Sequence, residues 1–301
     1  MEEQFYITIK ELKNRYDLKL KELVGNDDLF DKEYPVYFNK AVFNEMIINK
    51  LGEHKEAYAK GAGDELNQHT RNGKVIPPSM ASVASSSRFC CFSLKDSDLS
   101  VFGIKNKDHP ISFEEILPIY NKYRGTPPHM DAYYENDSDC YFFECKCHEP
   151  FDYHIIKLSP DYFKKDRIVT KIDKKYYLEP SYYGQTIIDP KAFGLDENPR
   201  FDVKQFLTHI MGIQNRMATK KGKKAHLIYF YFIPDKVRED KEINEIIEQL
   251  LAETKILFNH EFFKQNAKEI EFSLYIMHSD VVEPANCNNT RKINIGEKAY
   301  E

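Results

Sequence analysis

Pro128-His129-Met130-Asp131-Ala132-Tyr133-Tyr134-Glu135-Asn136-Asp137-Ser138-Asp139-Cys140-Tyr141-Phe142-Phe143-Glu144-Cys145-Lys146-Cys147 is the stretch on which the reading of this chain turns. Its two flanks are apolar, and Asn136-Asp137-Ser138-Asp139 between them is a turn signal, so two strands are predicted, Met130 to Tyr134 and Cys140 to Cys147. A two-residue loop at Asp137-Ser138 sets the register and puts Asp131 directly opposite Glu144. Alternate residues of a strand share a face, so Glu144 and Lys146 project together, while Phe143, Cys145 and Cys147 project to the other side. Asp131, Glu144 and Lys146 are thereby predicted to form one polar cluster.

On either side of this hairpin, helical and strand patterns alternate. Apolar residues among charges predict helices over Gln4 to Leu23 and Asn39 to Lys60, the second with Gly52 as an interruption. Ser82 to Leu94 reads as a buried strand and Ser112 to Tyr123 as a short helix. Beyond an irregular, Tyr-rich stretch from Tyr153 to Asn198, a helix is predicted over Phe201 to Gln214 and a wholly apolar strand over Ala225 to Ile233. A helix at Ile243 to Leu257 and a strand at Ile270 to His278 follow. The alternation implies an α/β or α+β layer structure with a mixed central sheet flanked by helices.

The 301 residues, 42% of them hydrophobic, suffice for one large core, and neither repeats nor an interdomain linker is visible. Trp is absent, so 20 Tyr and 21 Phe must supply the aromatic area. No run reaches the roughly 20 apolar residues that span a bilayer, and the start of the chain lacks a leader pattern, so a cytoplasmic protein is expected. The six cysteines have no framework spacing and are read as reduced. A net charge of −5 leaves nucleic-acid binding to local clusters of Lys and Arg.

Two carboxylates on neighbouring strands can share a Mg²⁺ ion, which takes oxygen ligands and keeps positions open for water and a phosphate oxygen. A lysine two residues along can orient that water or stabilise charge building on phosphorus. The rival at the same place is a structural zinc site, because Cys140, Cys145, Cys147, His148 and His154 crowd one stretch. Neither a phosphate-binding glycine loop nor the helical H-E-x-x-H pattern is present, which excludes the common ATPase and metalloprotease signatures.

Pro128-His129-Met130-Asp131, twelve further residues and Glu144-Cys145-Lys146 resemble the signature of the PD-(D/E)xK, or restriction-endonuclease-like, nuclease superfamily, with Met130-Asp131 standing where the family has Pro-Asp. Gly61-x-Gly63-x-Glu65-Leu66 and Ser85-Ser86-Ser87-Arg88-Phe89 are similar to stretches of some restriction enzymes. The resemblance implies a restriction-endonuclease-like core over 39–235, with an N-terminal helical extension at 1–38 and a C-terminal helix and strand addition at 236–301. It implies metal ligation by Asp131, Glu144 and Glu65, the last on the first core helix, and a water-positioning Lys146. A glutamine on the helix after the E-x-K strand, Gln205, would face the site, with His209 one helical turn away; structural roles stand equally open for His209 and Arg88.

The expected activity is therefore a Mg²⁺-dependent endodeoxyribonuclease, with Mn²⁺ as a substitute. Its alternative is a noncatalytic nucleic-acid-binding or zinc-containing protein with a nuclease-like fold. DNA would be met by Lys164, Lys165, Arg167, Lys171, Lys174 and Lys175 with their interleaved Tyr and Phe residues, or by the loop Lys220-Lys221-Gly222-Lys223-Lys224. A second copy of the chain, if both strands are cut, and a cognate methyltransferase are the further partners implied.

Overall fold

In the computed structural model the described residues are 2–59, 65–105, 109–117, 119, 127–152, 154, 157–158, 174–178, 186–278 and 290–293. Six strands build the main sheet: β1 (Ser112–Ile116), β2 (His129–Glu135), β3 (Asp139–Lys146), β4 (Lys224–Phe232), β5 (Ile270–Met277) and β6 (Thr290–Ile293). They lie in the order β6-β5-β4-β3-β2-β1. The meander β1-β2-β3 is antiparallel, β3, β4 and β5 run parallel, and β6 returns antiparallel at the edge. The sheet is mixed, as the alternation of patterns predicted.

Parallel neighbours require crossovers, and helices supply them. Helix α1 (Glu2–Val24) and α2 (Ser86–Leu94) precede the meander; α3 (Val203–Met217) connects β3 to β4, and α4 (Lys241–Asn259) with α5 (Glu261–Asn266) connects β4 to β5. The helical run from Lys40 to Ala59 is broken at Gly52, whose φ of 57° ends the Asn49–Leu51 helix. That is the interruption expected there, and the left-handed backbone explains why glycine occupies it. Residues 236–277 extend the same sheet, so the C-terminal addition is continuous with the core.

Because β3 and β4 are central and covered on both faces, they carry long apolar runs rather than alternation. On one face Phe89 of α2 packs on Phe230 and Phe232 with ring centroids 4.8 and 5.1 Å apart, and Phe102 meets Phe143 and Tyr275. On the other, Phe206 of α3 lies among Phe258, Phe263, Phe272 and Tyr229. Each buried ring contributes about 1.5–3 kcal/mol through its removal from water. Helix α3 is drawn close to the sheet: a Cβ at Gly212 would run into the Leu117 side chain.

Three expectations are corrected. Ser82 to Leu94 is not a strand: Ser85 accepts the Arg88 N–H through its side chain and starts α2. Its residues 88–94 are all buried, so no polar face marks a helical period, and a short apolar run does not distinguish the two structures. Ser112 to Tyr123 is not a helix where it is described: Ser112–Ile116 is strand β1, paired to β2. Glu114 and Glu115 suit a helix locally, and the edge pairing overrides that preference. Glu65 is not on a core helix but in a turn, its carbonyl accepting the Met80 N–H at 3.1 Å; Gly61 and Gly63 lie outside the described residues. Small additions are a hairpin, His69–Arg71 with Lys74–Ile76, and a three-stranded sheet within the Tyr-rich stretch.

Candidate active site

The loop between β2 and β3 is closed by Asn136, whose side-chain oxygen accepts the N–H groups of Ser138 and Asp139 at 3.0 and 2.8 Å. Asn is suited to this by its short acceptor. The turn fixes Glu135 against Cys140, Tyr134 against Tyr141, Tyr133 against Phe142 and Ala132 against Phe143, which is the register expected from the sequence. The next step along both strands brings Asp131 level with Glu144. There the Asp131 carboxylate itself accepts the Cys145 N–H at 2.6 Å.

Glu144 is 2% exposed, and its carboxylate forms an ion pair with Lys146 through Oε1. The other oxygen, Oε2, is buried without a hydrogen-bond partner. Burial pushes the Glu144 carboxyl up to about 7 in spite of Lys146. The Asp131 carboxyl is raised well above the ordinary range, first by burial and then by the charge of Glu144. Lys146 behaves oppositely: burial would lower it, but Glu144, Glu149 and Asp131 hold its ammonium above the usual lysine value. Lys146 is thus a fixed cation and a poor proton acceptor.

Helix α3 covers this cluster. Asp202 caps it by accepting the Gln205 N–H at 2.8 Å, and the Gln205 side-chain oxygen accepts from Lys146 Nζ at 2.8 Å. Asp202 has His154 at 3.4 Å; burial would raise its carboxyl, but the His154 contact and the Gln205 N–H hold it at about 2. One turn after Gln205, His209 Nε2 stands 3.7 Å from Glu144 Oε2. Burial, reinforced by Lys146, holds that imidazole down at about 3, so it is neutral and the contact is not an ion pair. Glu149 accepts the Cys147 N–H at 2.7 Å and lines a narrow cleft with Lys146, His154, Arg200, Asp202 and Tyr229.

The structure therefore brings together Asp131, Glu144, Lys146 and Gln205, with His209 beside them; Glu65 lies in a turn rather than on a core helix. Arg88 is structural: its guanidinium is buried, donates to the carbonyls of Ser82 and Val83 at 3.1 and 2.8 Å, and lies over the Phe38 ring. The cysteine and histidine crowd diverges. Cys145 and Cys147 belong to the face opposite Glu144, His148 contacts Asp17, and His154 contacts Asp202. The described cysteines, Cys90, Cys91, Cys140, Cys145 and Cys147, are buried and not joined in disulfides. Lys164, Lys165, Arg167 and Lys171 lie outside the described residues, whereas Lys220 and Lys223 close on Glu135 at 2.7 Å each.

Two residues of this neighbourhood escaped the sequence reading. Tyr229 of β4 is the partner of Glu144 in the parallel ladder; its hydroxyl is buried without a hydrogen-bond partner. Nothing marks it within the apolar run, and only the β3–β4 register reveals it. Glu114 of β1 stands level with Asp131, with its backbone at φ 53°. A left-handed backbone costs a non-glycine residue on the order of 1–2 kcal/mol.

Among the described residues, no three His, Cys, Asp or Glu side chains converge as a ready metal cluster. The donors that do meet are nonetheless suited to a hard divalent cation: two carboxylates whose charges oppose each other in a buried place, one with an orphaned oxygen. No family model, no curated protein and no solved structure matches the chain.

Proposed function

We propose that the protein is a Mg²⁺-dependent endonuclease that hydrolyses DNA phosphodiester bonds in the manner of the restriction-endonuclease-like enzymes, with Mn²⁺ able to replace Mg²⁺. The observation that carries the proposal is the meeting of Asp131 and Glu144 on neighbouring strands with Lys146 on the same face, backed by Gln205. The succession of the helical run 40–59, the meander, α3 and β4 supports the same reading, although a fold alone does not establish chemistry.

Asp131 and Glu144 would hold the cation, whose chemistry there would be to polarise a phosphate oxygen and lower the pKa of water. The Cys145 N–H fixes the Asp131 carboxylate, so that it is presented without rotamer search. Lys146, anchored by Gln205, orients the attacking water and balances the negative charge that grows on phosphorus. Because Lys146 stays protonated, it does not take the water's proton; a phosphate oxygen or solvent water would take it as the new P–O bond forms and the P–O bond to the leaving group breaks.

Incubation with supercoiled and linear DNA in Mg²⁺, Mn²⁺ or EDTA, beside Asp131→Ala and Lys146→Ala, tests the proposal. Cleavage that needs the metal and vanishes in both variants is the expected result; equal cleavage by parent and variants would sink it.

A further inference from the structure

Two tyrosines of β4, Tyr229 and Tyr231, stand two residues apart on one face and line the narrow cleft with Lys146 and Asp202. Their hydroxyls are treated differently. That of Tyr231 meets Thr254 Oγ1 at 3.2 Å, whereas that of Tyr229, on a residue 2% exposed, has no hydrogen-bond partner. The Tyr229 ring is held among Phe201, Phe206 and Phe258, with centroids 5.1, 5.9 and 5.7 Å away, so the hydroxyl cannot swing elsewhere to find one. Burial of a hydroxyl without a partner is unfavourable, and a phenylalanine would sit among these rings without that cost.

A second atom in the same condition lies on the neighbouring strand. Glu144 is the partner of Tyr229 in the β3–β4 ladder, and its Oε2 is buried and equally without a hydrogen bond; His209 Nε2, at 3.7 Å, is too far to supply one. The two atoms are complementary. Burial first, and then the charge of Glu144, keep the Tyr229 hydroxyl protonated and hence a donor, while Glu144 Oε2 is an acceptor. Lys146 donates to Glu144 Oε1 and to Gln205, and its ammonium carries a further N–H. The interior of the cleft is about 10 Å³, the room of one water molecule and far less than a phosphate or a base needs. A buried water persists where several polar groups surround it, and Tyr229, Lys146 and Glu144 supply them.

We infer that Tyr229 is a further water-positioning residue: its hydroxyl and the Lys146 ammonium donate to one water molecule held in the cleft, which in turn donates to Glu144 Oε2. The inference rests on the reading of the chain as a phosphodiester hydrolase, for which this is the attacking water. Its oxygen forms the new bond to phosphorus as the P–O bond to the leaving group breaks, and its proton passes to a phosphate oxygen or to solvent, since Lys146 stays charged. The water gives the buried Tyr229 oxygen a partner in a strand that is otherwise apolar at that level.

Tyr229→Phe removes one oxygen and leaves the ring packing in place. Crystal structures of the metal-free full chain and of this variant are expected to show a water within hydrogen-bond distance of Tyr229 Oη and Lys146 Nζ in the parent and none in the variant. In melts with EDTA the variant should lose about 2–4 degrees of Tm, because Glu144 Oε2 is left without its bridge. Single-turnover cleavage should slow by about 10–100-fold with Mn²⁺ and DNA affinities unchanged, since a misplaced reactant costs rate rather than binding. A parent cleft without the water, or a variant Tm unchanged or raised, would overturn the water site, because a hydroxyl that truly lacks a partner is better removed. A variant that lacks the water and cleaves at the parent rate would overturn its role in attack. A parent protein that cleaves no DNA would overturn the proposed function and the attack with it, while the density and the melts decide the water site by themselves.

Discussion

Strand β2 carries two carboxylates on one face, four residues apart, and the chain treats them in opposite ways. Glu135, at the turn end, receives Lys220, Lys223 and the Tyr133 hydroxyl; burial would raise its carboxyl, but these three donors hold it down at about 2. Asp131, at the other end, receives one backbone N–H and the charge of a second buried carboxylate, and its carboxyl is raised well above the ordinary range. Glu135 is a completed structural contact. Asp131 is an incomplete one, a buried acid left short of positive charge, and perturbed groups of that kind cluster at functional sites. The difference between the two ends separates a contact that holds the hairpin together from the carboxylate on which the proposed function rests.

The largest expected effect would break this comparison outright. Lys146→Ala should lower DNA cleavage by about 10³-fold, the scale of losing one preorganised charge-stabilising group, whereas Glu135→Gln should cleave at the parent rate in a single-turnover assay. Equal losses in the two variants would erase the distinction. Next in size is Gln205→Ala: without its anchor Lys146 loses its fixed position, and a fall of about 10–100-fold in cleavage is expected with Mn²⁺ affinity unchanged. A variant that loses metal binding in step with activity would show that Gln205 acts on the ligands instead.

Stability should respond with opposite signs at the two ends. Asp131→Asn keeps an acceptor for the Cys145 N–H and removes the repulsion from Glu144, so metal-free protein should gain about 1–2 kcal/mol and a few degrees of Tm. Glu135→Gln should lose about 1 kcal/mol; full conversion of its depressed pKa would give more, but the carboxylate is 24% exposed and solvent screens it. Urea titrations of both variants in EDTA decide the signs.

The smallest expected effect is in the pH dependence of the metal-free protein. Glu135 has a depressed pKa, so its stabilisation is complete above about pH 4.5 and is lost as pH falls towards about 2. Glu144 has a raised one, so its contribution is unfavourable and grows as pH rises from about 4.5 to about 7. Acidification from pH 7 to pH 5 should therefore raise the Tm in EDTA, and saturating Mg²⁺ should cancel the rise. A flat profile in EDTA would mean that the carboxyl pair does not oppose folding.

The hairpin was legible in the sequence because its turn residues fix a register, and register fixes faces; Asp131, Glu144 and Lys146 followed from that alone. Gln205 was named through the family resemblance, on a helix whose other face reads as apolar, and the cap at Asp202 is seen only in the structure. Ser86–Leu94 and Ser112–Ile116 were not, since a helix buried on all sides has no polar stripe and an edge strand rich in glutamate has no alternation. That second misreading hid Glu114, because its position against Asp131 exists only in the β1–β2 pairing. Tyr229 was hidden for a similar reason, within a strand whose every residue looks like core.

The turn at Asn136 also works as a phase setting. A residue inserted at Asp137-Ser138 would shift β3 by one step against β2 and exchange its faces, offering Phe143 and Cys145 where Glu144 and Lys146 now stand. The ladder from β3 to β4 runs through the same residues and would oppose the slip, so one ladder or the other would have to break. Loop length is therefore constrained from a distance: which side chains face one another at the far end of the strands is dictated by a count of residues at the near end.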